Sequence, residues 1–255
     1  MSVTPILPAE LAVVIPTRNE RANIAPLLAR IEEVLAGIEW EAVFVDDDSS
    51  DGTAEAVREI AARDPRVRCL SRIGRRGLSS ACIEGWASVS APYLAVMDAD
   101  LQHDETLLPV MLARMRSGDC DVAIGSRYVA GGSVGEWGAF RRMVSRLGTA
   151  AGRRLMHVTV ADPMSGFFML RREVFESVAH RLTGTGFKIL LDLLASSQRP
   201  LRVEELPFTF RPRVAGESKL DTLVVLEFVQ LVVHKLTSGL LPVRFALFVL
   251  VGGVG

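Results

Sequence analysis

The sequence predicts an α/β protein built on an open, mostly parallel sheet with helices on both faces. Short apolar runs recur along the first half, as in Leu11–Ile15 and Tyr93–Met97, the pattern of parallel strands buried on both sides. Segments with helical spacing lie between them, giving a β-α-β-α rhythm. Several of the runs end in polar residues, as at Asp46-Asp47-Asp48 and Asp98-Ala99-Asp100, where ligands gather in open α/β sheets.

Leu11–Ile15 predicts the first strand and Ile24–Leu35 the first helix. Leu11–Pro16 has no basic region before it and runs at once into polar residues, so it reads as a strand and not a signal peptide. Ala42–Val45 is the second strand, and Ser50-Asp51-Gly52-Thr53 supplies a turn and cap for a helix to Ala62. A short strand at Val67–Leu70 precedes Gly77-Leu78-Ser79-Ser80, which opens a helix towards Val89. Tyr93–Met97 is a strand, Leu107–Met115 a helix, and Val122–Ile124 a strand ending in Gly125-Ser126-Arg127-Tyr128.

After Val129 the rhythm changes. Gly131-Gly132-Ser133 reads as a loop and Trp137–Met156 as a helix carrying arginines. Phe167–Leu170 is a strand, and Glu173–Ala179 and Phe187–Ala195 are helices. Arg202–Phe210 is a strand that Pro207 confines to an edge or breaks.

A chain of 255 residues, 49% of them hydrophobic, holds one large domain or a domain with an appendage. The net charge of −1 gives no global field for nucleic acid, and no nucleic-acid partner is expected. Arginines cluster locally at Arg72, Arg75 and Arg76 and at Arg141 and Arg142, as a solvated basic rim or as a site for an anionic ligand. Cys69, Cys82 and Cys120 are scattered and show no metal spacing, which predicts buried thiols in a reducing compartment.

Leu220–Leu236 is an apolar helix with a narrow polar stripe of Glu227, Gln230 and His234, suited to packing under another helix or lying in a membrane interface. Phe245–Gly255 carries no charge and is shorter than a membrane span, so it reads as the start of one, or else as a core segment. The expected division is a catalytic unit over 1–219, an interface helix and linker over 220–240, and the start of a transmembrane segment over 241–255.

The run Val96-Met97-Asp98-Ala99-Asp100-Leu101-Gln102-His103 carries the sharpest chemical signal. In extended chain, Asp98, Asp100 and Gln102 point the same way and present oxygens to one point. Such ligands suit Mg²⁺ or Mn²⁺ shared with substrate phosphates. A solvated acidic loop is the other reading of the same spacing.

Further motifs accompany it in order: Pro16-Thr17-Arg18-Asn19-Glu20, Val45-Asp46-Asp47-Asp48-Ser49, Gly77-Leu78-Ser79-Ser80-Ala81, Gly125-Ser126-Arg127-Tyr128, Asp162-Pro163-Met164-Ser165-Gly166-Phe167-Phe168, Gly186-Phe187-Lys188-Ile189-Leu190 and Gly216-Glu217-Ser218-Lys219. From Ala12 to Leu236 the chain resembles the family 2 glycosyltransferases of the dolichol-phosphate mannose synthase type. The uncharged end resembles the first span of the small membrane domain fused to many bacterial members.

The resemblance implies a nucleotide-sugar glycosyltransferase fold and sugar transfer to a polyprenyl or dolichyl phosphate at the cytoplasmic face of the inner membrane. GDP-mannose is the first donor expected and a UDP-sugar the alternative; a non-catalytic nucleotide-sugar-binding membrane module is a more distant one. It implies that Pro16, Arg18, Glu20, Val45 and Asp47 line the nucleotide pocket. Asp98, Ala99 and Asp100 would meet the diphosphate through Mg²⁺ or Mn²⁺, with Gln102 as a third ligand, and Arg213 and Lys219 would close over it. Arg127 and Arg141 would bind the acceptor phosphate, Arg127 reaching the donor as well. His103 reads as incidental. The chain departs from the family at Arg18, where an aromatic residue is usual; a guanidinium stacks on a base or pairs with a phosphate.

Overall fold

A computed structural model of the protein describes residues 8–133 and 159–211. Within them, β1 (Leu11–Thr17), α1 (Arg21–Val34), β2 (Trp40–Asp46), α2 (Thr53–Ala61), β3 (Val67–Ser71), α3 (Leu78–Ala87), β4 (Tyr93–Val96), α4 (Leu107–Arg116) and β5 (Val122–Ser126) follow in order. Then come β6 (Phe168–Arg171), α5 (Arg172–Val178), α6 (Ile189–Ser196) and β7 (Val203–Pro207). The proposed helix over Trp137–Met156 and the segments after Arg211 lie outside the described residues.

The strands form one seven-stranded sheet in the order β3-β2-β1-β4-β6-β5-β7. Every pairing is parallel except those of β6, which runs against both β4 and β5. The sheet is thus mostly parallel, as expected.

Strand residues alternate between two cores. Leu11, Val13 and Ile15 of β1 join Ala42 and Phe44 of β2 and the inner faces of α1, α2 and α4. Ala12 and Val14, with Val43 and Val45, join α3, α5 and α6 on the other side. Both faces of the sheet are buried, which is why these strands read as unbroken apolar runs. α3 lies very close to the sheet: a Cβ on Gly85 would come within 2.4 Å of Val14 Cγ1. Pro207, which lacks an N–H, ends β7 at the sheet edge, consistent with its edge reading.

The helix ends show where local expectation and structure differ. α1 begins at Arg21, earlier than the apolar periodicity suggests. α2 does start in the expected turn, but Gly52 is its cap residue in a left-handed conformation. The Asp51 carboxylate just before it accepts the Thr53 N–H at 3.0 Å and so supplies the missing cap. All three cysteines are free, Cys82 and Cys120 buried and Cys69 half-buried. Among the described residues no helix is long and apolar enough to cross a membrane.

Candidate active site

The strand order reverses direction at β1, which has β2 on one side and β4 on the other. A crevice opens at such a switch point, outside the carboxyl ends of the strands. The loops after β1, β2, β4 and β5 carry Arg18, Asp47, Asp98 with Asp100, and Arg127 to this one edge. Because β6 is antiparallel, the Asp162–Phe167 segment before it arrives at the same edge.

Backbone strain concentrates here. Among the described residues the non-glycine positions with positive φ are Asn19, Asp48 and Leu101, in the loops after β1, β2 and β4. Asn and Asp tolerate this conformation, whereas a leucine in it costs about 1–2 kcal/mol and must be held by its surroundings.

The loops after β1 and β2 are stitched together. Asp47 N–H donates to Thr17 O at 2.9 Å, Asn19 N–H to Ser49 Oγ at 2.9 Å, and Ser50 N–H to Asn19 Oδ1 at 3.0 Å. Asp46 is buried and accepts from the Ser49 N–H and hydroxyl, so it organises the turn. Glu20 accepts from the Asn23 side-chain amide at 2.7 Å. Asp47 Oδ2 accepts the Gly77 N–H at 2.7 Å, and its Oδ1 faces Arg72 Nη1 at 3.1 Å. That Oδ1 is buried and accepts no hydrogen bond. Burial pushes the Asp47 carboxyl up, against the pull of the Gly77 N–H and the Arg72 charge.

Arg72 is not the solvated rim residue that its neighbours Arg75 and Arg76 suggest. Its side chain is 2% exposed and also donates to Gly77 O at 3.1 Å and Ser80 Oγ at 2.6 Å. Arg75 pairs with Glu84 through both terminal nitrogens.

The acidic run departs from the extended geometry. β4 ends at Val96, Ala99 and Asp100 lie in a turn, and Leu101 is left-handed at φ 62°. Strict alternation therefore does not place Asp98, Asp100 and Gln102 on one side. Asp100 is buried and accepts the Gln102 N–H at 3.2 Å. Gln102 Nε2 donates to Arg211 O at 2.9 Å. The Asp98 side chain is 34% exposed at the crevice. A Cβ on Gly166 would lie 3.2 Å from its Oδ2, so glycine lets that backbone approach the carboxylate. Among the described residues no three His, Cys, Asp or Glu side chains gather as a metal centre. The partly exposed Asp98 carboxylate, with the buried Asp100 next to it in the turn, still fits a Mg²⁺-type ion, which takes one or two carboxylates from the protein and the rest from phosphate and water.

His103 is buried, stacked on Phe167 at 5.1 Å and met edge-on by Phe208 and Phe210. Its Nδ1 accepts the Asp98 N–H at 3.1 Å, which assigns the proton to Nε2, 3.7 Å from Asp98 Oδ2. Burial pushes its pKa down to about 4, against the nearby Asp100 charge. An unfolded histidine titrates near 6.5. The unfolded chain therefore takes up the proton first, and stability is full above about 6.5 and falls as pH drops towards 4, by up to about 3 kcal/mol. Urea midpoints at pH 7.5 and 4.5 should show this loss in the wild type, and His103→Gln should flatten it.

Arg127 forms a two-pronged pair with Asp162, Nε to Oδ2 at 2.7 Å and Nη2 to Oδ1 at 2.8 Å, and its N–H adds a third bond at 3.1 Å. Asp162 is fully buried. Burial opposes the Arg127 charge, but the Asp162 bonds outweigh it and raise the pKa. Glu205 on β7 accepts the N–H groups of Ala161 and Asp162, fixing the loop that bears the carboxylate.

A family model for glycosyl transferase family 2 matches residues 12–179, from β1 to the end of α5. The chain belongs to glycosyl transferase family 2. The dolichol-phosphate mannosyltransferase of Pyrococcus furiosus is 42% identical over 223 residues, 87% of this chain and 62% of that protein. This glycosyltransferase therefore spans less than two thirds of that relative's length. The Mycosarcoma maydis and Saccharomyces cerevisiae proteins of the same name are 34% and 36% identical, over 94% and 87% of this chain and 84% and 85% of theirs. Glucosyl-3-phosphoglycerate synthase of Mycobacterium tuberculosis shares the fold. Its complex with UDP has a TM-score of 0.65 at 22% identity, covering 89% of this chain and 80% of that one. Its complex with Mn²⁺, UDP-glucose and phosphoglyceric acid has a TM-score of 0.67 at 20% identity, covering 89% and 79%.

In this glycosyltransferase the edge gathers Pro16, Arg18, Glu20, Val45, Asp47, Asp98, Ala99, Asp100, Gln102 and Arg127. Arg141, Arg213 and Lys219 lie outside the described residues. Sequence reasoning missed the partners that hold these groups: Arg72 for Asp47, Asp162 for Arg127, Glu205 for the loop that bears Asp162, and His103 for Asp98. Asp162 and His103 stood in quoted motifs, the signals available; the pairings of Arg72 and Glu205 span separations that spacing does not reveal.

Proposed function

We propose that this glycosyltransferase moves mannose from GDP-mannose onto a polyprenyl or dolichyl monophosphate at a membrane surface. The reading is carried by one observation: the nucleotide-side loops, the acidic turn and Arg127 converge on one sheet edge, in a chain whose relatives are dolichol-phosphate mannosyltransferases. Pro16, Arg18, Glu20 and Val45 line the nucleotide pocket, and Asp47, held by the Gly77 N–H and the Arg72 guanidinium, sets a carboxylate beside the base. Asp98 and Asp100, with Ala99 and Gln102 beside them, hold Mg²⁺ or Mn²⁺. That ion, when bound, neutralises charge on the departing diphosphate. Arg213 and Lys219 close over the same diphosphate.

Arg127, held rigid by Asp162, and Arg141 orient the acceptor phosphate. A phosphate monoester has a second pKa near ~6 and is largely a dianion at neutral pH, so its own oxygen attacks without a protein base. Attack from the side opposite the leaving group inverts the anomeric centre. The apolar character of the sequence after Lys219 suits docking at a membrane surface, which brings residues 1–219 to the lipid head group.

A UDP-sugar is the second donor reading. A single carboxylate oxygen satisfies the uracil N–H as readily as one guanine N–H, and the fold relative binds UDP-glucose. The test is transfer of radiolabelled sugar to polyprenyl phosphate in detergent, with GDP-mannose and UDP-glucose side by side, with and without EDTA. Labelled lipid from GDP-mannose, lost in EDTA, is the expected result. Label from UDP-glucose alone reassigns the donor, and undiminished transfer in EDTA removes the metal.

A further inference from the structure

The segment that leaves β7 is tied to the acidic turn through one residue. The Arg211 N–H donates to Gln102 O at 2.9 Å, and Gln102 Nε2 returns a bond to Arg211 O at 2.9 Å. The Arg211 guanidinium spreads over the residues that follow. Nη2 reaches Asp104 Oδ1 at 2.8 Å, while Nη1 reaches Glu105 Oε2 at 2.7 Å and His103 O at 3.3 Å. Glu105 is buried, its side chain 8% exposed, and its other cation is Arg30 of α1 at 3.7 Å. Phe208 and Phe210 of the same segment press edge-on against His103, whose Nδ1 holds the Asp98 N–H. These contacts all land on residues 102–105, directly behind the Asp98–Asp100 turn and its left-handed Leu101.

A leucine in that conformation persists only where its surroundings over-determine it. The two Gln102–Arg211 bonds, one between backbones and one from the Gln102 side-chain amide, and the guanidinium across Asp104 and Glu105 are such a constraint, set immediately after Leu101. We infer that Arg211 is a positioning residue for the acidic turn: it sets the affinity of the Asp98–Asp100 site for a divalent cation. The same latch recasts Gln102, whose amide N–H is spent on the Arg211 backbone, as part of the support for that turn. Only a planar fork spans two carboxylates and a carbonyl in this way; a lysine ammonium is a point charge.

This inference rests on the proposed metal role of Asp98 and Asp100. Residues that orient metal ligands typically change metal affinity by about ten- to a hundredfold when removed. The test uses the whole chain with saturating GDP or UDP, and reads free Mn²⁺ by electron paramagnetic resonance. R211A should weaken Mn²⁺ binding by about tenfold or more, R211K should fall between it and wild type, and E105Q should resemble R211A. R116A removes an ion pair with Glu10 elsewhere on the surface and should leave Mn²⁺ affinity unchanged. Urea midpoints of the same proteins separate this loss from general destabilisation. If R211A does not fold, R211K and E105Q decide. Wild-type affinity in the Arg211 and Glu105 variants overturns the inference while leaving the metal site standing. A wild type that binds no Mn²⁺ overturns the metal reading, and this inference with it.

Discussion

Asp98→Asn should lower sugar transfer by roughly a hundred- to a thousandfold while leaving the fold almost untouched. The side chain is a third exposed at the crevice and is not part of either core. Its removal as an anion withdraws one of two hard ligands from the proposed ion. Lewis-acid stabilisation of a leaving diphosphate supplies several kcal/mol, and each ~1.4 kcal/mol is a factor of ten in rate. Donor transfer, Mn²⁺ binding and urea midpoints measured on one preparation check this together. The expected pattern is lost transfer and weakened Mn²⁺ binding with a midpoint close to wild type. Transfer within a few-fold of wild type would return Asp98 to a solvated loop.

Asp162→Ala should do the reverse and strike stability first. The carboxylate is fully buried and takes three hydrogen bonds from Arg127. Removing it leaves a guanidinium that is nine-tenths buried without its counter-ion. Breaking such a pair from one side typically costs about 3–5 kcal/mol, a large share of a domain's net stability. Urea denaturation at neutral pH measures it. The double variant Arg127→Met/Asp162→Leu should recover much of the lost stability, because the stranded charge goes too, yet transfer to polyprenyl phosphate should stay low. If the double variant transfers sugar normally, Arg127 is structural and has no part in holding the acceptor.

The two cases show why some site residues are legible in a sequence and their supports are not. Asp47, Asp98 and Arg127 each follow an apolar strand closely, and strand ends are visible as breaks in hydrophobic runs. Their partners come from elsewhere in the chain: Arg72 for Asp47 and Asp162 for Arg127, with Glu205 holding the Asp162 backbone. Nothing local marks Arg72 as buried, since Arg75 and Arg76 beside it are exposed. His103 looked incidental for the same reason, because its burial depends on Phe167, Phe208 and Phe210, two of which arrive from beyond β7.

The sequence by itself determined the fold class, the order of most elements and the loops in which the chemistry sits. Those follow from the periodicity of apolar residues and from where it stops, which are local properties. Family membership was legible too, because the motifs recur in order. Tertiary structure decided the antiparallel course of β6, which brings Asp162 and Gly166 to the carboxyl edge of a parallel sheet. It also decided the form of the acidic turn. A run of alternating carboxylates reads as extended until the chain must turn at Leu101 and lock its amide onto Arg211. That lock joins residues far apart in sequence, so its energy depends on packing and hydrogen bonds that no short segment contains.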